Sequence, residues 1–148
     1  MSSGIQVAGV YVRDQDEALA FYVDKLGFRV HTDARNGEFR WLTVQHPDQA
    51  SFQLGLFTPG PPVHDAATAQ MLRAIIAKGA MPSLVLEVDD CRAAYERLHA
   101  VGVEFTQEPV DRYEPPRVLR RLLSLRRWSH EETRKVFPRS PRTRRAPG

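Results

Sequence analysis

Val10-Tyr-Val-Arg-Asp-Gln-Asp-Glu-Ala-Leu-Ala-Phe-Tyr-Val-Asp-Lys-Leu-Gly-Phe28 is the stretch that decides the fold. It begins at the end of a segment, 5–12, whose alternation predicts a half-buried strand. Ala8, Val10 and Val12 share one face of it, and Val7, Gly9 and Tyr11 share the other. At Asp14 the period changes. A short acceptor side chain ahead of an apolar run is a helix N-cap, and Glu17, three residues on, makes a capping box. The spacing predicts a helix over 15–25, with Ala18, Phe21, Tyr22 and Leu26 at three- and four-residue intervals. Gly27 supplies the left-handed position that ends it, and 28–30 reads as a second strand.

Downstream, Asn36-Gly37 predicts a tight hairpin, because both central positions of a type I′ turn need positive φ. Strands follow over 39–44 and 52–57, separated by a turn at His46-Pro-Asp-Gln49; in the second, Gln53, Gly55 and Phe57 share a face opposite Leu54 and Leu56. Pro59-Gly-Pro-Pro62 cannot continue a ladder and opens a linker to a connecting helix over 66–78. A strand over 84–88 comes next, with Ser83, Val85 and Glu87 on one face. Asp89-Asp90 caps a helix carrying Cys91, Ala94, Tyr95, Leu98 and Val101, Gly102 stops it, and 103–105 reads as a strand.

The second half thus echoes the first. Val12-Arg-Asp14, Ala18, Tyr22, Gly27 and Phe28 are answered by Val88-Asp-Asp90, Ala94, Leu98, Gly102 and Val103, about 76 residues on. The expected class is α+β: two repeated βαβββ-type units whose strands form a cup-shaped mixed sheet with helices on the outside. The second unit reads as incomplete at its C-terminal end. No glycine occurs between Gly102 and Gly148, and a closing hairpin needs residues that tolerate positive φ.

The chain has 148 residues, 42% hydrophobic and 26% charged, which suits one domain of ordinary core size. The single cysteine, Cys91, excludes an intrachain disulfide and a multi-cysteine metal knuckle. No apolar run is long enough for a membrane span and the N-terminus lacks a signal-peptide pattern, so a cytoplasmic location and no membrane partner are expected. The net charge of +3 conceals an asymmetry: residues 114–148 carry 11 Lys and Arg against 3 Asp and Glu, leaving 1–113 net acidic. The expected organisation is a folded domain over 1–112 and a basic Arg/Pro-rich tail over 113–148. Three readings compete for that tail. It is a basic amphipathic helix built on Leu119, Leu122 and Leu123, a solvated and partly disordered extension, or the product of a shifted reading frame in a G+C-rich gene. Nucleic acid is not the expected partner despite the tail's charge.

The 10–28 stretch, with Phe39-Arg-Trp-Leu-Thr-Val44, Leu86-Glu-Val-Asp-Asp90 and Gly102-Val-Glu-Phe-Thr-Gln-Glu-Pro109, resembles the vicinal-oxygen-chelate superfamily of glyoxalases, bleomycin-resistance proteins and dioxygenases. The resemblance covers about 5–110. It implies a small-molecule ligand in the cup, pairing of units in a homodimer and, in the enzymes, a divalent metal held by His, Gln or Glu. The positions that match the family's ligands are Val7, Ser83 and, near the end of the fourth strand, Phe57. None offers the imidazole nitrogen or carboxylate oxygen that a catalytic divalent ion wants, so no cofactor is expected at them. The five histidines, His31, His46, His64, His99 and His130, show no ligand spacing and read as surface residues.

The expected ligand-binding candidates on the cup face are Tyr11, Trp41, Gln53, Phe57, Ser83 and Glu87, joined by Val7, Gly9, Gly55 and Val85. This lining suits a small, partly aromatic ligand held by stacking and one or two hydrogen bonds. Glu87 is the catalytic candidate, a general base if burial raises its pKa; the alternative is a solvated Glu at a sheet edge. The function expected is small-molecule binding in a glyoxalase-like domain. A metal-dependent lyase or dioxygenase and a drug-sequestering resistance protein stand as alternatives.

Overall fold

The computed structural model of the chain describes residues 4–82, 84–105 and 108–109, together with the backbone of 122–125. Its elements in chain order begin with β1 (Val7–Tyr11) and α1 (Gln15–Leu19), which runs directly into a π-helical stretch, Ala20–Lys25. Then come β2 (Arg29–Asn36), β3 (Phe39–Gln45), β4 (Gln53–Phe57), α2 (Ala66–Ala77), β5 (Leu84–Glu87), α3 (Cys91–Ala100) and β6 (Leu122–Leu125). The protein is α+β, as its sequence predicts. β1, β4, β3 and β2 form a four-stranded sheet in that spatial order, with β1 parallel to β4 and the hairpins antiparallel.

Local chemistry accounts for the helix that covers this sheet. Asp14 Oδ1 accepts from Glu17 N at 2.8 Å, satisfying a backbone donor that the first turn would leave orphaned. Glu17's own carboxylate takes two contacts from Arg13 Nη2, at 3.0 and 2.9 Å. At the far end Leu26 N reaches back five residues to Phe21 O, the π-type bond that widens the last turns. That widening lets one helix serve two cores. Ala18, Leu19, Tyr22 and Val23 pack on Leu42, Val44, Leu54 and Leu56 of the sheet, whereas Phe21 and Leu26 pack with Ala94, Leu98 and Val103 beside α3.

Several expectations change in detail. β2 runs on from the short expected strand to Asn36, and Asn36 pairs with Phe39, so the hairpin pivots on Gly37-Glu38, one residue later than Asn36-Gly37 implied. Residues 103–105 are not a strand: Val103 is buried against α3, and no neighbour among the described residues offers that segment a ladder. The Asp cap and glycine stop do recur, with Asp90 Oδ1 accepting from Ala93 N at 3.0 Å and Gly102 at φ +78° answering Gly27 at +76°. Among the described strands, β5 pairs antiparallel with β6 whereas β1 pairs parallel with β4. Leu122–Leu125 is therefore strand rather than the amphipathic helix that was one reading of the tail. The remainder of 113–148 lies outside the described residues. Among those described, no helix is long and apolar enough to cross a membrane.

Two side chains lock α1 to the sheet. The β3–β4 ladder consists of Thr43↔Gly55 and Val44↔Leu54, and beyond these pairs Gln15 Nε2 donates to Arg40 O at 3.1 Å and Leu56 O at 2.8 Å, one carbonyl from each strand. The Arg40 side chain, only 9% exposed, reaches Asp16 of α1 at 2.6 Å and closes a fork on Asp33 of β2 at 2.8 and 2.7 Å. Hydrogen bonds first to Asp33 and then to Asp16 raise the guanidinium pKa, while Arg40 holds the Asp33 carboxyl below its ordinary range. A carboxyl depressed in the folded state contributes stability that is present above its unfolded pKa and lost as the pH falls through its folded one. Arg40→Met should therefore lower the urea midpoint at pH 7, and the gap to wild type should narrow as the pH drops below the usual carboxylate range. A gap of equal size at neutral and acid pH would assign the loss to packing instead.

Candidate functional site

The helix occupies one face of the four-stranded sheet, and the opposite face carries the candidate site. Strand alternation puts Val7, Gly9 and Tyr11 of β1, Phe39, Trp41 and Thr43 of β3, and Gln53, Gly55 and Phe57 of β4 on that face. Register then sets them in rows: Val7 beside Gln53, Gly9 beside Gly55, Tyr11 beside Phe57.

Phe57 dominates one end. Its ring folds back along β4 and lies over both glycines: a Cβ added at Gly9 would come within 2.9 Å of Phe57 Cδ2, and one at Gly55 would collide with Phe57 Cε2. Neither position has room for a side chain while the ring lies there. Phe39 stacks near-parallel to the same ring with centroids 6.4 Å apart, and Trp41 tilts against it at 5.0 Å. Trp41 remains 41% exposed, a large aromatic surface open to a ligand.

Beside this group Tyr11 Oη and His64 Nε2 share a hydrogen bond of 2.9 Å, their rings edge to face. His64 belongs to the linker after β4, which is tied down by its own N–H on Gly60 O at 2.9 Å and by Arg73 Nη2 on Pro59 O at 2.8 Å. The opposite end of the face is polar. Thr43 Oγ1 donates to Gln53 Oε1 at 2.9 Å, both side chains being buried, and Gln53 Nε2 lies 3.3 Å from His31 Nε2.

Four sequence candidates, Tyr11, Trp41, Gln53 and Phe57, thus come together on one face. Glu87 and Val85 stand apart on β5, in the two-stranded sheet, and Glu87 is exposed, without the burial that a general-base role would need. Ser83 lies outside the described residues. Sequence reasoning missed Thr43, Phe39, His31 and His64. The first two were legible in the alternation of Phe39-Arg-Trp-Leu-Thr-Val44; the histidines, read as surface residues, reach the site through a bulge and a linker that leave no periodic signal.

The side chains here do not fit a divalent metal. Val7 and Phe57 bring no donor atom, the Phe57 ring covers the floor between them, and no cluster of three or more His, Cys, Asp and Glu among the described residues could hold an ion.

Residues 4–120 match the model of the Glyoxalase/Bleomycin resistance protein/Dioxygenase superfamily. The chain belongs to this superfamily. Within it the chain is similar to the uncharacterized protein YurT of Bacillus subtilis (strain 168), with 39% identity over 105 residues, 71% of this chain and 80% of YurT. The crystal structure of UcmS2 is 45% identical and superposes with a TM-score of 0.70, covering 76% of this chain and 85% of UcmS2. TnmS3 from Streptomyces sp. CB03234, described as an antibiotic binding protein, is 30% identical with a TM-score of 0.52 over 70% of this chain and 74% of its own.

The glycine floor gives a test that does not depend on the ligand. Gly55→Ala must drive the Phe57 ring off its seat, costing on the order of 1 kcal/mol in lost aromatic contacts and changing Trp41 emission. In a Phe57→Ala background the same substitution should cost much less, and a double-mutant cycle with no coupling would refute the described packing.

Proposed function

We propose that the face bearing Tyr11, Trp41, Gln53 and Phe57 binds a small, partly aromatic molecule by stacking, and that the protein holds this ligand stoichiometrically instead of turning it over. The observation that carries this reading is Phe57. At the position where the superfamily resemblance implies a carboxylate ligand stands a ring, which makes the centre of this face an apolar platform walled by Trp41 and Phe39. The relation to TnmS3, an antibiotic binding protein, supports sequestration over catalysis.

Titration with fused-ring aromatics, followed by tryptophan emission in a Trp128→Phe variant so that Trp41 alone reports, tests the proposal. Saturable quenching at one ligand per chain is expected, with the compound recovered unchanged. Phe57→Ala should weaken binding by roughly two- to tenfold, the value of an aromatic pair beyond its buried area. Chemical conversion of the compound, or quenching that never saturates, would overturn the reading.

We infer further that the working form is a homodimer in the cytoplasm. β1 is an edge strand of its sheet, and the superfamily resemblance implies pairing of units to close the cup. Light scattering at high micromolar concentration should give twice the chain mass of 16.8 kDa. A monomer under those conditions counts against the shared cup, and recovery in the membrane fraction counts against the location.

A further inference from the structure

Thr43 and Gln53 are the buried polar side chains among the described residues, at 0% and 7% exposure, and both lie on the proposed binding face. A polar group enclosed in a sheet face costs stability unless its hydrogen bonds are made, and Val and Leu would fill these two positions without that cost. The pair is kept in order by its own geometry. Thr43 Oγ1 donates to Gln53 Oε1, which turns the amide oxygen toward β3 and leaves the amide nitrogen facing His31 Nε2.

His31 is delivered there by a fault in the ladder. Val30 pairs with Val44 and Thr32 with Thr43, so His31 is the extra residue of a β-bulge, a device that re-aims one side chain without disturbing the strand around it. Its Nδ1 lies 2.8 Å from Thr32 Oγ1. With Nδ1 protonated and directed at that hydroxyl, Nε2 is an acceptor and takes one N–H of Gln53.

A primary amide carries two N–H groups, and the second one on Gln53 has no partner among the described residues. We propose that this N–H is a recognition point for an acceptor oxygen on the ligand, selecting aromatic molecules that bear a carbonyl over hydrocarbons of the same shape. Thr43 and His31 are positioning residues that hold the amide in its donating orientation. The inference rests on the stacking role proposed above and adds the chemical class of the ligand: a fused-ring aromatic ketone or a molecule presenting that edge. Spacing along β4 permits it. Gln53 and Phe57 are four residues apart, roughly 13 Å along the strand, and the Phe57 ring reaches back over Gly55, so a bicyclic ring against it can bring a carbonyl to the amide. The energetic argument is asymmetric: a ligand lacking the oxygen covers the N–H and leaves it unpaired, a larger loss than the bond itself gains.

The experiment is calorimetric titration of the full chain with 2-acetylnaphthalene and 2-ethylnaphthalene, two probes of nearly equal shape that differ in one acceptor oxygen. Wild type should bind the ketone about tenfold more tightly. In Gln53→Met the ratio of the two affinities should fall to about one. In Thr43→Val, which preserves shape but frees the amide to turn over, it should fall to about threefold, a second readout if Gln53→Met fails to fold. Equal affinities in wild type with clear binding of both probes overturn this inference and leave the stacking reading standing. A ratio that survives Gln53→Met also overturns it. If neither probe binds, the stacking reading falls and the amide subsite falls with it.

Discussion

The amide of Gln15 holds open the seam on which the rest of the structure depends. β3 and β4 share only two ladder pairs, and where they part the strands would expose unmatched carbonyls to the packed underside of α1. Gln15 answers one carbonyl from each strand, and Arg40, leaving the same seam, reaches carboxylates on α1 and β2. The sheet can therefore curve away from a fully paired ladder without abandoning its backbone polar groups. Because α1 is fixed to the seam, it and the π-helical turns that follow reach both the sheet and the β5–α3 half, and they do so from the face opposite Phe57 and Gln53.

That face is divided by chemistry. Phe57, Phe39 and Trp41 gather at one end, two facing glycines lie in the middle, and Thr43, Gln53 and His31 form a hydrogen-bonded group at the other. The division follows from side-chain alternation along β4 alone, since Gln53, Gly55 and Phe57 are successive residues on one side of a single strand. Five residues of sequence thus set an amide, a gap and an aromatic ring in order along one side of a strand.

Much of this was legible from spacing. Asp14, Gly27, Asp90 and Gly102 announce helix limits because capping and left-handed turns demand particular residue types, and the period-two pattern of 5–12 and 52–57 assigned their faces correctly. What stayed hidden arises between elements. The π-widened turn answers two cores at once and no local propensity encodes it; the bulge at His31 is invisible to a pattern that assumes unbroken alternation; and the Tyr11–His64 contact joins residues 53 positions apart. The strand expected over 103–105 failed for a related reason, since alternation can propose a strand but only a neighbouring ladder makes one.

The floor of the cup is made by the absence of side chains, and one rotatable ring covers it. With Gly9 and Gly55 beneath it, Phe57 is held by van der Waals contact alone on that side, so the depth of the recess is set by a torsion angle rather than by the backbone. Rotating the ring outward would deepen the recess by about the thickness of an aromatic layer, some 3.5 Å. What stands over the middle of this face is thus a side-chain torsion and not main chain, and a turn of that one ring leaves the ladder of β1 and β4 untouched.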